Sequence, residues 1–295
     1  LLELAGVPYV GPGVLASACG MDKEYMKKLV AAEGIAITRE VILDGRSSLD
    51  DDERDYLGLP VFVKPANGGS SIGVSKVSDW ADFDAAYALA RESDEKVIVE
   101  AELVGDEVEI GVLERPDGTI AASVPAKLNG TEESAEGFYG FETKYLEDGV
   151  TATIPAQYDE ELTKRLQDTA VTCFKALNCK SLTRVDFFVT EEGPVFNEVN
   201  TMPGFTSISM YPQVWAASGV DYPQLLDTLI QTALAAVISI PLGIMVAIYL
   251  VEYSNGNKLG KLTTFMVDIL SGVPSIVAAL FVYALWITIL GQQRS

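Results

Sequence analysis

A body of mixed helices and strands followed by two membrane-spanning helices is what this sequence predicts, on three observations. Through residues 34–200, apolar runs of strand length alternate with segments of helical spacing. Charge divides the chain: from Thr228 onward Lys258, Lys261 and Arg294 stand against Glu252 and Asp268, a net of +1, so the total of −21 leaves −22 for residues 1–227. Thr232–Val251 then carries no charge and Phe265–Leu290 only Asp268, each run being long enough to cross a hydrocarbon core of roughly 30 Å.

Taken in order, Leu1–Gly6 reads as the end of a helix and Val7–Gly13 as a short turn. Met21–Ala32 has helical amphipathicity with Asp22 in its first turn, and Gly34–Leu43 reads as a strand. Leu59–Pro65 (LPVFVKP) is a second strand, ended by the glycine- and serine-rich loop Asn67–Gly73. Asp79–Glu92 places Trp80, Phe83, Ala86, Tyr87 and Ala90 at helical spacing, and Lys96–Ala101 is again strand-like. Val108–Leu113 and Thr119–Pro125 flank the turn signal Pro116-Asp117-Gly118 and predict a hairpin. Gly137–Asp148 reads as a loop and Asp159–Leu177 as a helix. Ser181–Thr190 and Pro194–Glu198 read as two joined strands, and Tyr222–Leu234 as a last helix. The basic connector carrying Lys258 and Lys261 makes the tail a transmembrane hairpin with that connector on the cytoplasmic side; a buried helical pair is the other reading of the same lengths.

Composition narrows the chemistry. The sequence has no histidine, which excludes Ser-His-Asp and Cys-His mechanisms and histidine zinc sites within it. Its three cysteines, Cys19, Cys173 and Cys179, lack metal-type spacing and read as free thiols of a reducing cytosol. The acidic body argues against nucleic-acid binding, which needs a basic face. The opening segment has no basic n-region, so no signal peptide is expected.

Two clusters carry the remaining chemistry. In VKPANGGSSIG, Val63–Gly73, a strand delivers Lys64 into a loop whose glycines let backbone N–H groups approach phosphate oxygens. The lysine precedes the glycines, so this is not a Walker A loop; alone, it also reads as a surface turn after an edge strand. In the second cluster, Arg184 and Asp186 alternate on one strand and Glu198 and Asn200 on the next, so each pair shares a face. Asp186, Glu198 and Asn200 suit Mg²⁺, a hard cation that bridges carboxylates to substrate phosphates. Acids among Phe187, Phe188, Val189, Val195 and Phe196 are costly unless paired or metal-bound. Just beyond lies Gly204, whose N–H can serve an oxyanion with Arg184 supplying charge, and Lys144 in Glu142–Tyr145 adds a further cation.

Met21–Lys23, Val63–Val77, Glu142–Tyr145, Arg184–Phe188 (RVDFF) and Asn197–Pro212 (NEVNTMPGFTSISMYP) together resemble the D-alanine–D-alanine ligase family, in order and spacing, over residues 1–227. The resemblance implies an α+β ATP-grasp fold, two α+β lobes clasping ATP. Residues 1–21 would be the remnant of an N-terminal ligase domain and linker, 22–104 the small lobe, 105–227 the large lobe with the magnesium and substrate site, and 228–295 the two transmembrane α-helices. It also implies a reaction: one D-alanine carboxylate is phosphorylated by ATP, and the amine of a second attacks the D-alanyl phosphate, for peptidoglycan precursor synthesis.

By the same resemblance Lys23, Lys64 and Lys144 would hold ATP phosphates, Glu100 and Leu103 would line the adenine pocket, and Glu107 would bind ribose. Asp186, Glu198 and Asn200 would hold two Mg²⁺ ions, with Mn²⁺ as a substitute. Arg184 and the Gly204 N–H would stabilise the tetrahedral intermediate, Ser209 would meet the second D-alanine, and Ser70 and Tyr145 would order a loop that excludes water. A homodimer and a cytoplasmic ligase body are implied as well. Two departures stand out: the family's N-terminal domain, with a glutamate that contacts the first D-alanine, is not in this sequence, so this chain is expected to be inactive alone; and Thr183 precedes Arg184 where small residues are usual.

Ile240–Ser254 and Val267–Leu285 resemble the permease subunit of a phosphate ABC transporter, which makes a chimera the expectation for the whole chain, with membrane contact only through residues 228–295. The competing functional readings are another ATP-grasp carboxylate–amine ligase and a membrane component of such a transporter.

Overall fold

Two antiparallel sheets, each with its own apolar core, organise the residues that the computed structural model describes: 9–69, 71–115, 118–130, 151–206 and 208–229. Both sheets fall within one compact unit, Gly11–Leu225. The expected helix end at 1–6, the loop at 137–148 with Lys144 and Tyr145, Ser70 and the apolar tail beyond residue 229 lie outside the described residues. Among the described residues no helix is long and apolar enough to cross a membrane.

The smaller sheet contains β1 (Glu40–Leu43), β2 (Val61–Pro65), β3 (Ser75–Val77) and β4 (Val97–Ala101) in the order β1-β4-β2-β3. Period-two alternation on β2 buries Val61, Val63 and Pro65 while Phe62 and Lys64 face the other way. The buried side packs on α3 (Asp51–Leu57) and on α4 (Phe83–Arg91), whose Phe83, Ala86 and Ala90 form one apolar stripe. All five residues of β4 are buried, including the acid Glu100.

The larger sheet runs β10-β9-β5-β7-β8, with β6 also on β5. Its strands are β5 (Asp106–Glu114), β6 (Ile120–Ala122), β7 (Ala126–Asn129), β8 (Thr151–Thr153), β9 (Leu182–Thr190) and β10 (Gly193–Asn200). The expected hairpin is the β5–β6 pair, with Leu113 opposite Ala121. Helix α5 (Glu160–Ala176), capped by the Asp159 carboxylate on the Leu162 N–H, buries Leu166, Ala170, Cys173 and Phe174 against this sheet. Helix α6 (Met210–Ala217) packs Tyr211 and Trp215 on β5 at Gly111, and α7 (Tyr222–Thr228) follows.

Three sequence expectations change. The helix read over Met21–Ala32 is α2 (Lys23–Ala32), with Asp22 extended before it as its cap on the Glu24 and Tyr25 N–H groups rather than in its first turn, and a further helix, α1 (Val14–Met21), precedes it. The strand read over Gly34–Leu43 is regular only from Glu40; upstream, Ile37 makes an isolated parallel bridge to Phe196 and the Phe196 N–H donates to Ala36. That segment therefore passes from the larger sheet to the smaller. Finally, α2 was grouped with the smaller lobe, yet its Met26 and Val30 lie in the core of the larger sheet.

Helix α2 serves both sheets. Its N-terminus is tied to the smaller one by the Lys23 N–H on Ala66 O (3.0 Å) and by Lys96 Nζ, which contacts Asp22 at 2.6 Å and Glu24 at 2.7 Å.

At the passage from β4 to β5, Gly105 packs against the neighbouring backbone, and an added Cβ would lie 2.5 Å from the Val189 carbonyl oxygen. Backbone must move to admit it. Gly105→Ala is therefore expected to lower stability by about 1–3 kcal/mol, read as a drop in the urea midpoint; an unchanged midpoint contradicts this packing. Thr183, fully buried on β9, has a hydroxyl with no hydrogen-bond partner among the described residues. The isosteric Thr183→Val is expected to leave that midpoint equal or higher, since it removes an unmet polar group.

Candidate active site

The free faces of the two sheets bound a cleft of about 520 Å³, lined by Lys23, Lys64, Glu100, Leu103, Glu107, Arg184, Asp186 and Glu198 among others. Eight predicted site residues thus meet in one place. Asn200, Gly204 and Ser209 lie beyond its lining, and Ser70, Lys144 and Tyr145 lie outside the described residues.

One wall is cationic and comes from β2, β4 and the start of α2. Alternation aims Lys64 off the cleft face of β2, diagonal to Glu100 on β4, where Glu100 sits opposite Phe62 and Glu40. Lys64 Nζ lies 2.6 Å from Glu100 Oε2. The other carboxylate oxygen, Oε1, accepts from Lys27, which is 1% exposed and also lies 3.2 Å from Glu40 Oε2. Burial alone would raise the pKa of Glu100, but Lys27 and Lys64 outweigh it and hold the carboxyl at about 2. Glu40 goes the other way: burial raises its pKa against the opposing charge of Lys27. Lys23 Nζ donates to Gly68 O at 2.9 Å. Its pKa is lowered, first by burial and then by the charge of Lys64, with Glu198 and Glu100 opposing. Two neighbouring cations, one of them desolvated, favour an anionic ligand between them.

The other wall is anionic and comes from three adjacent strands. Asp186 on β9 stands opposite Glu109 on β5 and Glu198 on β10, so three carboxylates share one register line. A bulge at Asn197 makes this possible. Phe196 pairs with Phe187 in the core, yet Glu198, only two residues on, pairs with Asp186 on the cleft side; the extra residue changes the face. Arg184 offsets part of the carboxylates' charge. Its guanidinium donates to Asp186 through Nε (2.8 Å) and Nη2 (2.7 Å), with Nε also 3.3 Å from Glu109. Burial would lower the pKa of Arg184, but Asp186, Glu109 and Glu198 raise it, so the guanidinium stays charged.

The remaining predicted residues are placed as follows. Asn200 stands opposite Arg184, and its side-chain oxygen accepts the Met202 N–H at 3.1 Å. Gly204 packs on Ser209, whose Oγ accepts the Thr206 N–H at 3.0 Å. Among the described residues no group of three His, Cys, Asp or Glu side chains gathers as a metal cage. The donor chemistry still suits a cation shared with a ligand: Asp186 and Glu198 are carboxylates, hard oxygen donors, and stand opposite each other across the strand pair.

Lys27 and Glu109 were missed in the sequence although signals for both were present. Lys27 follows Lys23 by one helical turn on the same face, and Glu109 alternates with Glu107 on a strand.

Comparison with known proteins bears on this arrangement. A family model described as D-ala D-ala ligase C-terminus matches residues 28–231. A D-alanine–D-alanine ligase of Corynebacterium diphtheriae is 64% identical over 234 residues, covering 79% of this chain and 64% of that protein. One from Nocardia farcinica is 60% identical over 236 residues, covering 80% and 65%. Among solved structures, the VanG D-Ala:D-Ser ligase of Enterococcus faecalis has a TM-score of 0.66 at 39% identity, covering 77% of this chain and 66% of its own. The Bacillus anthracis D-alanine–D-alanine ligase complexed with ATP has a TM-score of 0.65 at 31% identity, covering 80% and 73%. The chain spans just under two thirds of the length of these curated relatives.

The depressed pKa of Glu100 has a consequence for stability. With a folded value of about 2 against an ordinary 4.5, its contribution is complete above 4.5 and is lost as pH falls towards 2. Urea midpoints measured across that window should fall with pH in the unsubstituted chain, and Glu100→Gln should lack this component; equal slopes in the two proteins would show that Glu100 is not so held.

Proposed function

This chain belongs to the D-alanine–D-alanine ligase family, and on that premise we propose that its cleft binds Mg²⁺-ATP and that the whole protein joins two D-alanines through a D-alanyl phosphate. One observation carries the proposal: a lysine pair on one wall of the cleft faces aligned carboxylates and a captive arginine on the other. A polyphosphate needs both walls, cations for its own charge and carboxylates for the metal that accompanies it.

On this reading Lys23 and Lys64 bind phosphate oxygens, Leu103 and Glu107 border the nucleoside, and Asp186 and Glu198, with Asn200 at the strand exit, hold Mg²⁺. The metal supplies charge neutralisation between phosphates when it is bound. Arg184, kept cationic by Asp186 and Glu109, offers positive charge where negative charge develops on the reacting carboxylate. The Gly204 N–H would join Arg184 at the tetrahedral intermediate, and Ser209 would meet the second D-alanine. Lys144 would add a further cation on the phosphates, and Ser70 and Tyr145 would order a loop that excludes water, which an acylphosphate requires. Residues 22–104 and 105–227 act as the two clasping lobes of a homodimeric enzyme whose ligase body is cytoplasmic. Residues 228–295 are read as a permease-like membrane segment fused to it, on the strength of two long runs almost without charge.

The test, on a chain with the N-terminal domain restored, is ADP release in the presence of D-alanine, compared with glycine and L-alanine, alongside calorimetric binding of Mg²⁺-ATP. D-alanine alone should support release. Lys64→Ala should weaken nucleotide binding by about ten- to a hundredfold, the loss of one charge-assisted hydrogen bond, and Glu198→Ala should abolish turnover. Wild-type turnover in either variant, or equal release with L-alanine, would rule the assignment out.

A further inference from the structure

Lys27 takes no part in the cleft lining, yet it is the most buried cation described in the molecule's ion pairs, with a side chain 1% exposed. A lysine is kept in such a place only where its charge is needed. Its two carboxylate partners are Glu100, which accepts its hydrogen bond, and Glu40, an ion pair at 3.2 Å, on adjacent strands β4 and β1 and opposite each other in register. Lys64 reaches the remaining oxygen of Glu100 from the cleft side. Glu100 is thus shared by two lysines, one locked in the interior and one at the cleft.

The two lysines differ in what else they can reach. Lys27 pairs with Glu100 and Glu40 and lies outside the cleft lining. Lys64 lines the cleft, next to Lys23, where the nucleotide phosphates are proposed to lie. A phosphate can recruit Lys64 only if Glu100 does not hold it with full strength, because a buried carboxylate left with no counter-ion is strongly unfavourable.

We propose that Lys27 is a positioning residue for nucleotide binding: as the resident counter-ion of Glu100, it frees Lys64 to serve the phosphates. The inference rests on the reading of the cleft as an ATP site. Without Lys27, Glu100 must draw on Lys64 alone, and the nucleotide then competes with the protein's own carboxylate for that ammonium. Helix α2 gains a second role, since the element that carries Lys23 into the cleft also carries, one turn on, the charge that makes Lys64 available.

The experiment compares Mg²⁺-ATP binding by calorimetry in the full 295-residue chain and in three variants: Lys27→Met, Lys27→Arg, and Lys27→Met combined with Glu40→Gln. The unsubstituted chain should bind. Lys27→Met should bind about ten- to a hundredfold more weakly, as expected when a charge-assisted contact is lost, and Lys27→Arg should recover most of the affinity. The double variant separates positioning from folding. Removing Glu40 relieves one of the two carboxylates that Lys27 served, so the melting temperature should rise above that of Lys27→Met. Affinity should stay low, because Glu100 still holds Lys64. A folded double variant that binds Mg²⁺-ATP like the unsubstituted chain overturns the inference. Absence of binding in the unsubstituted chain overturns the nucleotide reading itself, and this inference with it.

Discussion

Glu100 is the fourth residue of a five-residue strand buried along its whole length, where an ionised carboxylate persists only with close partners. Its partners come from two different elements, Lys27 from α2 and Lys64 from β2. The same helix sends Met26 and Val30 into the core of the other sheet. One ion cluster thus ties the smaller sheet to a helix that belongs by packing to the larger. The energetic logic is that of compensation: replacing all the charged partners by apolar groups could be harmless, whereas removing one leaves an unpaired interior charge.

The opposite wall obeys the same rule with the signs reversed. Glu109, Asp186 and Glu198 would repel one another along their shared register line, and Arg184 holds them together by a two-pronged bond to Asp186 and a contact with Glu109. The bulge at Asn197 lets β10 bury Phe196 and two residues later turn Glu198 to the cleft. A regular strand would send both to one side, and either the core or the site would lose a residue. Each wall carries partial compensation within itself, and the groups nearest the cleft, Lys23 and Lys64 on one side and Asp186 and Glu198 on the other, are of opposite sign.

Close packing sets the site's supports. Gly111 lies under α6, where an added Cβ would stand 2.8 Å from Trp215 Nε1, and Tyr211 donates its hydroxyl to Val112 O at 2.8 Å. Helix α6 therefore rests directly on β5, the strand that carries Glu107 and Glu109, and it holds Ser209 at its first turn. In this way the loop from Thr201 to Ser209 is tied at both ends to strands of the same sheet.

The sequence by itself determined the chemistry of the cleft and the elements with strong periodicity. Alternation in LPVFVKP and RVDFF put Lys64, Arg184 and Asp186 on defined faces, and the 3.6-residue spacing of Leu166, Ala170 and Phe174 marked α5. Helix α3 was missed because DDERDYL has almost no apolar stripe, although Asp50 and Glu53 form the capping box that signals its start. Strands β3, β7 and β8 are three or four residues long and owe their form to neighbours rather than to their own pattern. Only the tertiary structure decided that Asp22 divides two helices, that α2 spans two sheets, and that Lys27 and Glu109 complete the two walls. Periodicity reports the face a residue occupies on its own element; the partner that meets that face comes from a distant part of the chain, as Lys27 meets Glu100 across 73 positions, and no local pattern records it.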